Sequence, residues 1–144
     1  MARKKRILVI DDEARFTRLL KVALENSGGY EVAQANSAAE GLAAARTAPP
    51  PDLILLDVIM PDQSGTEVAS QLGADEQLKK TPIVFLTAAV PKDAADSRRG
   101  TLNGRPFIAK PVSLDDLIAC IEQHVTTVGE QPSGSGDAPS TQTQ

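Results

Sequence analysis

Short apolar runs alternate along the chain with longer segments in which apolar residues recur at helical spacing. The run Leu53–Leu56 is apolar at every position, which is typical of a strand buried on both faces of a parallel sheet. Four further runs have the length and composition of strands. The predicted strands are, in chain order, Ile7–Ile10, Tyr30–Ala35, Leu53–Leu56, Pro82–Leu86 and Phe107–Ala109.

The segments between these strands carry apolar stripes and capping residues of helices. A first stripe ends at Gly28 and Gly29, which are suited to close a helix. Ser37, with Glu40 three residues later, predicts the start of a second helix, and Ser113 is the expected cap of the last one. The apolar stripes are Phe16, Leu19, Leu20, Ala23 and Leu24 in the first helix, Val68 and Leu72 in the third, and Leu114, Leu117, Ile118, Ile121 and Val125 in the last.

The segment from Val90 to Gly104 has the least regular pattern. Pro91 is suited to the first turn of a helix, so we predict a short or mobile fourth helix there, which Gly100 and Gly104 would weaken. Strands that alternate with helices in this way predict an α/β fold. The five units favour a flavodoxin-like, doubly wound domain with a five-stranded parallel sheet and helices on both faces.

The composition of the chain changes near residue 128. Residues 129–144 contain Gly, Pro, Ser, Thr and Gln but no large apolar residue. Such a segment buries too little surface to offset its ordering entropy, so we predict a disordered low-complexity tail at 129–144 after one folded domain at 1–128. The sequence leaves open whether the chain is a stand-alone protein or a piece of a longer one.

Charge and composition exclude several classes of function. The net charge of −4 and the absence of Trp argue against direct binding to nucleic acid. The apolar runs are too short for membrane insertion, and the run after the basic start is too short for a signal peptide, so we expect a cytoplasmic protein. The single cysteine, Cys120, excludes an intrachain disulfide and is expected to be buried in a helix.

Five candidate reactive residues lie where predicted strands end. Asp11 and Asp12 follow the first strand, Asp57 the third, Thr87 the fourth and Lys110 the fifth. Ligands of doubly wound sheets bind at the carboxyl ends of the strands, so we expect these side chains to converge. Three neighbouring carboxylates repel one another, and a Mg²⁺ ion would relieve that repulsion. A carboxylate beside a metal, a lysine and a hydroxyl can attack a phosphoryl group.

Four motifs resemble the receiver domains of bacterial response regulators, the phosphoryl-accepting switches of two-component signalling. The motifs are Val9–Glu13, Leu55–Pro61, Leu86–Ala88 and Ala109–Pro111, and the resemblance covers residues 4–127. It implies the strand order 2-1-3-4-5. It also implies a regulator that is not an enzyme beyond its own phosphorylation and slow dephosphorylation.

The resemblance also implies roles for the residues at the strand ends. Asp57 would accept a phosphoryl group from a sensor histidine kinase or a histidine phosphotransfer protein. The metal ligands of Mg²⁺ would be Asp12, Asp57 and the backbone carbonyl of Ile59, with Asp11 acting through water. The bond between Lys110 and the following proline is expected to be cis.

The switch that the resemblance implies involves three residues. Lys110 would contact the phosphoryl group, and Thr87 would move toward it. That movement would let Phe107 turn inward and change the face offered to an unknown downstream protein. For Phe107, simple core packing remains the alternative interpretation. Ile59 and Ala89 are apolar where a side chain could otherwise orient attacking water, which predicts a long-lived aspartyl phosphate.

Two other functions compete with this one. A receiver-like module could bind proteins without being phosphorylated, although the complete set of acidic, Thr and Lys residues argues against it. A phosphatase of the haloacid dehalogenase type also uses an Asp nucleophile and Mg²⁺. That family requires a second Asp two residues after the nucleophile, where this chain has Ile59.

Overall fold

The computed structural model describes residues 4–47, 49–88, 99–102, 104–110 and 112–125. Four predictions concern residues outside these ranges: the helix beginning at Pro91, the apolar Ala89, the cis bond at Pro111 and the tail at 129–144. Within them, four helices surround one sheet. The elements are β1 (Lys5–Ile10), α1 (Ala14–Ser27), β2 (Tyr30–Ala35), α2 (Ala38–Ala45), β3 (Leu53–Leu56), α3 (Gly65–Gly73), β4 (Ile83–Thr87), β5 (Arg99–Leu102), β6 (Arg105–Ala109) and α4 (Leu114–His124).

The sheet has the strand order β2-β1-β3-β4-β6-β5. Every pair from β2 across to β6 is parallel, so these five strands end at the same edge. They match the expected order 2-1-3-4-5, since the predicted fifth strand is β6. The flavodoxin-like α/β fold is therefore confirmed. None of the described helices is long and apolar enough to cross a bilayer.

The prediction of five strands needs one correction, because β5 adds a sixth, antiparallel strand at the edge of the sheet. Leu102 of β5 pairs with Arg105 of β6, with two residues of sequence between them. The sequence between them is Asn-Gly, a strong hairpin signal that favours two paired strands over the predicted helix. Gly104 has φ 80°, a conformation that glycine adopts without a steric penalty.

Two apolar layers cover the parallel strands, one on each face. Successive residues of a strand point to opposite faces, so Leu55 lies in one layer and Leu56 in the other. The layer facing α2 and α3 includes Leu8, Ile10, Ile54, Leu56, Val68, Leu72, Phe85 and Phe107. The layer facing α1 and α4 includes Val9, Leu20, Leu24, Leu55, Leu86, Leu117, Cys120 and Ile121. The predicted burial of Cys120 is confirmed.

The inward face of α1 differs from the predicted stripe. Thr17, Leu20 and Leu24 are buried, whereas Leu19 is 63% exposed. The apolar pattern alone misplaced the face because its true centre includes a polar residue, Thr17, whose hydroxyl is satisfied by hydrogen bonds. The caps behave as predicted. Ser37 and Ser113 each accept a hydrogen bond from the backbone three residues later.

Candidate functional site

Three carboxylates meet at the carboxyl edge of the sheet. In the register of neighbouring strands Ile10 faces Leu56, so the residues that follow them, Asp11 and Asp57, emerge side by side. One carboxylate oxygen from each of Asp11, Asp12 and Asp57 lies within 4.8 Å of the others. Asp11 and Asp57 are buried, while Asp12 is exposed. The structure therefore brings the predicted acidic cluster together, with one side open to solvent.

Hydrogen bonds fix both carboxylate oxygens of Asp11. The backbone amide of Glu13 donates to Oδ1 over 2.9 Å, and the Lys110 ammonium donates to Oδ2 over 2.6 Å. The Asn36 side chain holds the Asp11 backbone carbonyl at 3.0 Å and also donates to Thr17. Sequence reasoning missed Asn36 and Thr17. A threonine in the middle of an otherwise apolar helix face was the available signal.

The environment of Asp57 destabilises its charge. Burial, followed by repulsion from Asp11, raises the pKa of Asp57 to about 6, although attraction from Lys110 opposes the shift. The Val58 amide donates to Oδ1 over 2.9 Å, and the Lys110 ammonium lies 3.9 Å from the same oxygen. Among the described residues, one ammonium, that of Lys110, thus lies beside a cluster of three carboxylates. This set of hard oxygen donors with excess negative charge fits a divalent cation such as Mg²⁺.

Lys110 and Thr87 arrive at the cluster from neighbouring strands. Thr87 pairs with Ala109, and the Lys110 amide donates to the Thr87 carbonyl over 3.0 Å. The Thr87 side chain is fully buried, and the Lys110 side chain is 17% exposed. Phe16 of α1, which was not predicted as a site residue, places its ring centroid 4.3 Å from the Lys110 ammonium.

Phe107 is a buried residue of β6, three positions before Lys110. Its side chain is 1% exposed and packs in the layer that faces α2 and α3. This buried position is the one expected both for core packing and for the inward state of a switch, so the two interpretations both stand.

The loop between β3 and α3 runs along the other side of the cluster. Ile59 on this loop is 65% exposed. A Cβ atom at Gly65 would lie 2.0 Å from the Asp57 carbonyl oxygen, so only glycine fits there. Asp62 accepts hydrogen bonds from the Ala38 and Ala39 amides, each over 3.2 Å, which ties the loop to the start of α2.

Comparison with known proteins places this geometry in a family. The sequence profile described as "Response regulator receiver domain" matches residues 7–122. The chain is 34% identical over 122 residues to the polar-differentiation response regulator DivK of Brucella ovis, covering 84% of this chain and 96% of DivK.

Solved structures agree with the sequence comparison. The chemotaxis protein CheY4 of Vibrio cholerae superposes with a TM-score of 0.72 at 27% identity, covering 85% of this chain and 99% of CheY4. The response regulator TrrA of Thermotoga maritima, solved in complex with Mg²⁺ and BeF, gives a TM-score of 0.68 at 31% identity, covering 84% and 99%. The chain belongs to the response regulator receiver domains, which act in phosphorylation-dependent signalling.

Proposed function

We propose that this chain accepts a phosphoryl group on Asp57 from a phosphohistidine of a sensor histidine kinase or a histidine phosphotransfer protein. One observation carries the proposal. Asp57 lies beside Asp11 and Asp12, with the Lys110 ammonium 2.6 Å from Asp11 and 3.9 Å from Asp57. A buried carboxylate next to an ammonium group and two further acids has the parts that phosphoryl transfer requires.

The metal that this site would hold is Mg²⁺. Asp12, Asp57 and the backbone carbonyl of Ile59 would be its protein ligands, with Asp11 acting through water. The excess of carboxylates over cations among the described residues of the site supports this assignment, as does the Mg²⁺ named in the TrrA complex. When bound, the metal supplies the positive charge that offsets the phosphoryl oxygens.

The residues of the chain would carry out the bond exchange and position the reacting groups. A carboxylate oxygen of Asp57 forms the bond to phosphorus while the bond from phosphorus to the donor imidazole nitrogen breaks. The Val58 amide orients Asp57 through its Oδ1. The Lys110 ammonium, 3.9 Å from Asp57, needs only a short movement to reach a phosphoryl oxygen.

The response to phosphorylation would pass through Thr87 and Phe107. Thr87 is buried at the end of β4 and Phe107 is buried in the adjacent β6. New phosphoryl oxygens would draw the Thr87 hydroxyl toward Asp57 and change the space beside Phe107. The edge of the sheet formed by β6 and β5 would then change its affinity for a downstream protein.

Mass spectrometry with acetyl phosphate tests the proposal directly. With Mg²⁺ present, we expect the intact mass to increase by one phosphoryl group, and we expect no increase in Asp57→Ala or with a chelator. A folded wild-type protein that gains nothing from either acetyl phosphate or a panel of phosphorylated histidine donors would contradict it. Mg²⁺ titration separates the alternative, because a phosphorylation-independent module should bind the metal poorly.

The lifetime of the phosphorylated form provides a second test. Ile59 is exposed beside Asp57 and has no polar group with which to orient attacking water. We therefore expect slow hydrolysis, and we expect Ile59→Asn to accelerate it several-fold in a time course of intact mass. Decay of the wild-type phosphoprotein within seconds in Mg²⁺ buffer would refute this expectation.

A further inference from the structure

Phe16 contacts the charged group that the reaction depends on. Its ring centroid lies 4.3 Å from the Lys110 ammonium, and the Lys110 side chain is only 17% exposed. We propose that Phe16 is a positioning residue that fixes the Lys110 ammonium on Asp11, and that it thereby weakens the binding of a divalent cation at the acidic cluster. The consequence for the metal rests on the function proposed above.

The geometry places the ammonium on one side of the cluster. Its nitrogen is 2.6 Å from Asp11 Oδ2 but 3.9 Å from Asp57 Oδ1, so it is hydrogen-bonded to the first and not to the second. The negative face of an aromatic ring attracts a cation within about 6 Å of its centroid, and more strongly when the cation has lost water. Phe16 and Asp11 therefore hold the same ammonium in the same position.

This position opposes the entry of a metal ion. A cation among Asp11, Asp12 and Asp57 would repel the ammonium and draw Asp11 away from it. Any contact that favours the metal-free arrangement lowers the affinity for the metal by the same free energy. Since the ring contacts the ammonium in the metal-free arrangement, its removal should strengthen metal binding.

If Phe16 contributed only apolar packing, a leucine at this position would leave the metal affinity unchanged. Phe16 is partly buried against the layer that faces α1 and α4, and Leu would preserve most of that apolar contact. Phe16→Leu thus removes the ring face while it keeps the packing, and Phe16→Tyr keeps both. Leu19→Ala, at a 63% exposed position of the same helix, controls for a general effect of substitution in α1.

Titration of amide chemical shifts with Mg²⁺ measures the effect without a phosphoryl donor, in a chain that lacks tryptophan fluorescence. We expect Phe16→Leu to lower the dissociation constant about two- to fivefold, a range set by typical cation–π contacts. Phe16→Tyr and Leu19→Ala should match the wild type. In a Lys110→Met background the Phe16→Leu change should disappear. An equal change in both backgrounds, or none in the wild type, would overturn the proposal.

Unfolding with chelator present tests the contact independently of metal and phosphorylation. In a double-mutant cycle of Phe16→Leu and Lys110→Met, we expect a coupling of about two- to fivefold in the unfolding equilibrium constant. Additive effects would overturn the role of Phe16 even if Asp57 takes up a phosphoryl group. Coupling in a protein that fails to gain phosphoryl mass would instead refute the proposed function alone.

Discussion

Strand β1 carries a charged cluster at each of its ends, and the two clusters differ in balance. At its start, Lys5 pairs with Glu122 over 2.7 Å, and the Tyr30 hydroxyl donates to the other carboxylate oxygen. Just beyond its end lie the three carboxylates of the acidic cluster, and the cation that the described residues place against them is Lys110, which contacts Asp11 and Asp57. The first cluster matches donors to acceptors, whereas within the described part of the chain the second holds more negative than positive charge.

The pKa values follow this difference. Hydrogen bonds from Lys5 and then Tyr30 lower the pKa of Glu122, whereas burial and then Asp11 raise the pKa of Asp57 to about 6. Ionised Glu122 therefore stabilises the folded chain, and ionised Asp57 destabilises it. We call the end of β1 with Lys5 and Glu122 the balanced end, because its charges stabilise each other. The end with the acidic cluster is called the strained end, because its charges repel each other. The strained end is where a metal or a phosphoryl group would be used.

The largest effect that we expect concerns the backbone at the strained end. Gly65→Ala would place a Cβ 2.0 Å from the Asp57 carbonyl oxygen, and backbone must move to accommodate it. Overpacking of this kind costs about 3 kcal/mol in the free energy of unfolding. Urea denaturation of the wild type and of Gly65→Ala measures this loss of stability.

Gly73→Ala is the matched control for that substitution, because it lies at the other end of α3. The new Cβ would meet only the flexible end of Arg105, at 3.0 Å. We expect a change within about 0.5 kcal/mol, as for ordinary surface substitutions. Equal losses at the two positions would show that the close approach to Asp57 is not what constrains Gly65.

Sequence patterns were sufficient for the parallel strands and for the residues at their ends. Leu53–Leu56 is apolar throughout, and Asp57 follows directly, so strand and site were both visible locally. The acidic cluster could be predicted because the carboxyl ends of parallel strands must share one edge. Its proximity to Lys110 follows from the same rule.

Features that depend on distant packing were not predictable in this way. The exposure of Leu19 and the cation–π contact of Phe16 depend on the rotation of α1 against the sheet, which the apolar pattern fixes only approximately. The hydrogen bond from Asn36 to the Asp11 carbonyl spans 25 residues. The hairpin of β5 and β6 is a different case, since its Asn-Gly signal was present in the sequence.

The second prediction is that a substitution of the buried Asp57 increases the stability of the fold, whereas most substitutions decrease it. With chelator at pH 7, Asp57→Asn should stabilise the fold by about 1–3 kcal/mol, because it removes a buried carboxylate held ionised near its repulsive neighbours. The pKa of Asp57 is about 6 in the folded protein, above the value of about 3.9 of an unperturbed aspartate. The wild type should therefore gain stability as the pH falls from 7 to about 5.

Guanidinium denaturation at several pH values measures this effect, and Asp57→Asn should lack most of the gain. Added Mg²⁺ should stabilise the wild type and reduce the difference between the two proteins. Destabilisation by Asp57→Asn at pH 7 in chelator would show that the acidic cluster is not strained.

The third prediction concerns the balanced end and has the opposite sign. Tyr30→Phe removes the hydroxyl that donates to Glu122 while it preserves the buried ring. Loss of a hydrogen bond to a charged acceptor should cost about 1 kcal/mol in unfolding free energy. Thermal denaturation can compare it with Phe107→Leu, which probes apolar packing alone. A stabilising Tyr30→Phe would mean that the hydroxyl is poorly matched to Glu122.

The smallest expected effect is the pH dependence of the balanced end. The pKa of Glu122 is lowered on folding, so its stabilising contribution is present above the unfolded pKa, near 4.3. It is lost as the pH falls through the lower, folded value. The Glu122 side chain is 47% exposed, so solvent screening limits the contribution to a fraction of about 1 kcal/mol.

Comparison of Glu122→Gln with the wild type at pH 7 and pH 3 isolates this contribution. The substitution should destabilise the fold at pH 7, and the difference should shrink at pH 3, where the glutamate itself becomes neutral. Acidification thus removes stability at the balanced end, whereas Asp57 contributes a gain over the interval from pH 7 to about 5. If the Glu122→Gln difference instead grew at low pH, charge balance would not distinguish the two ends of β1.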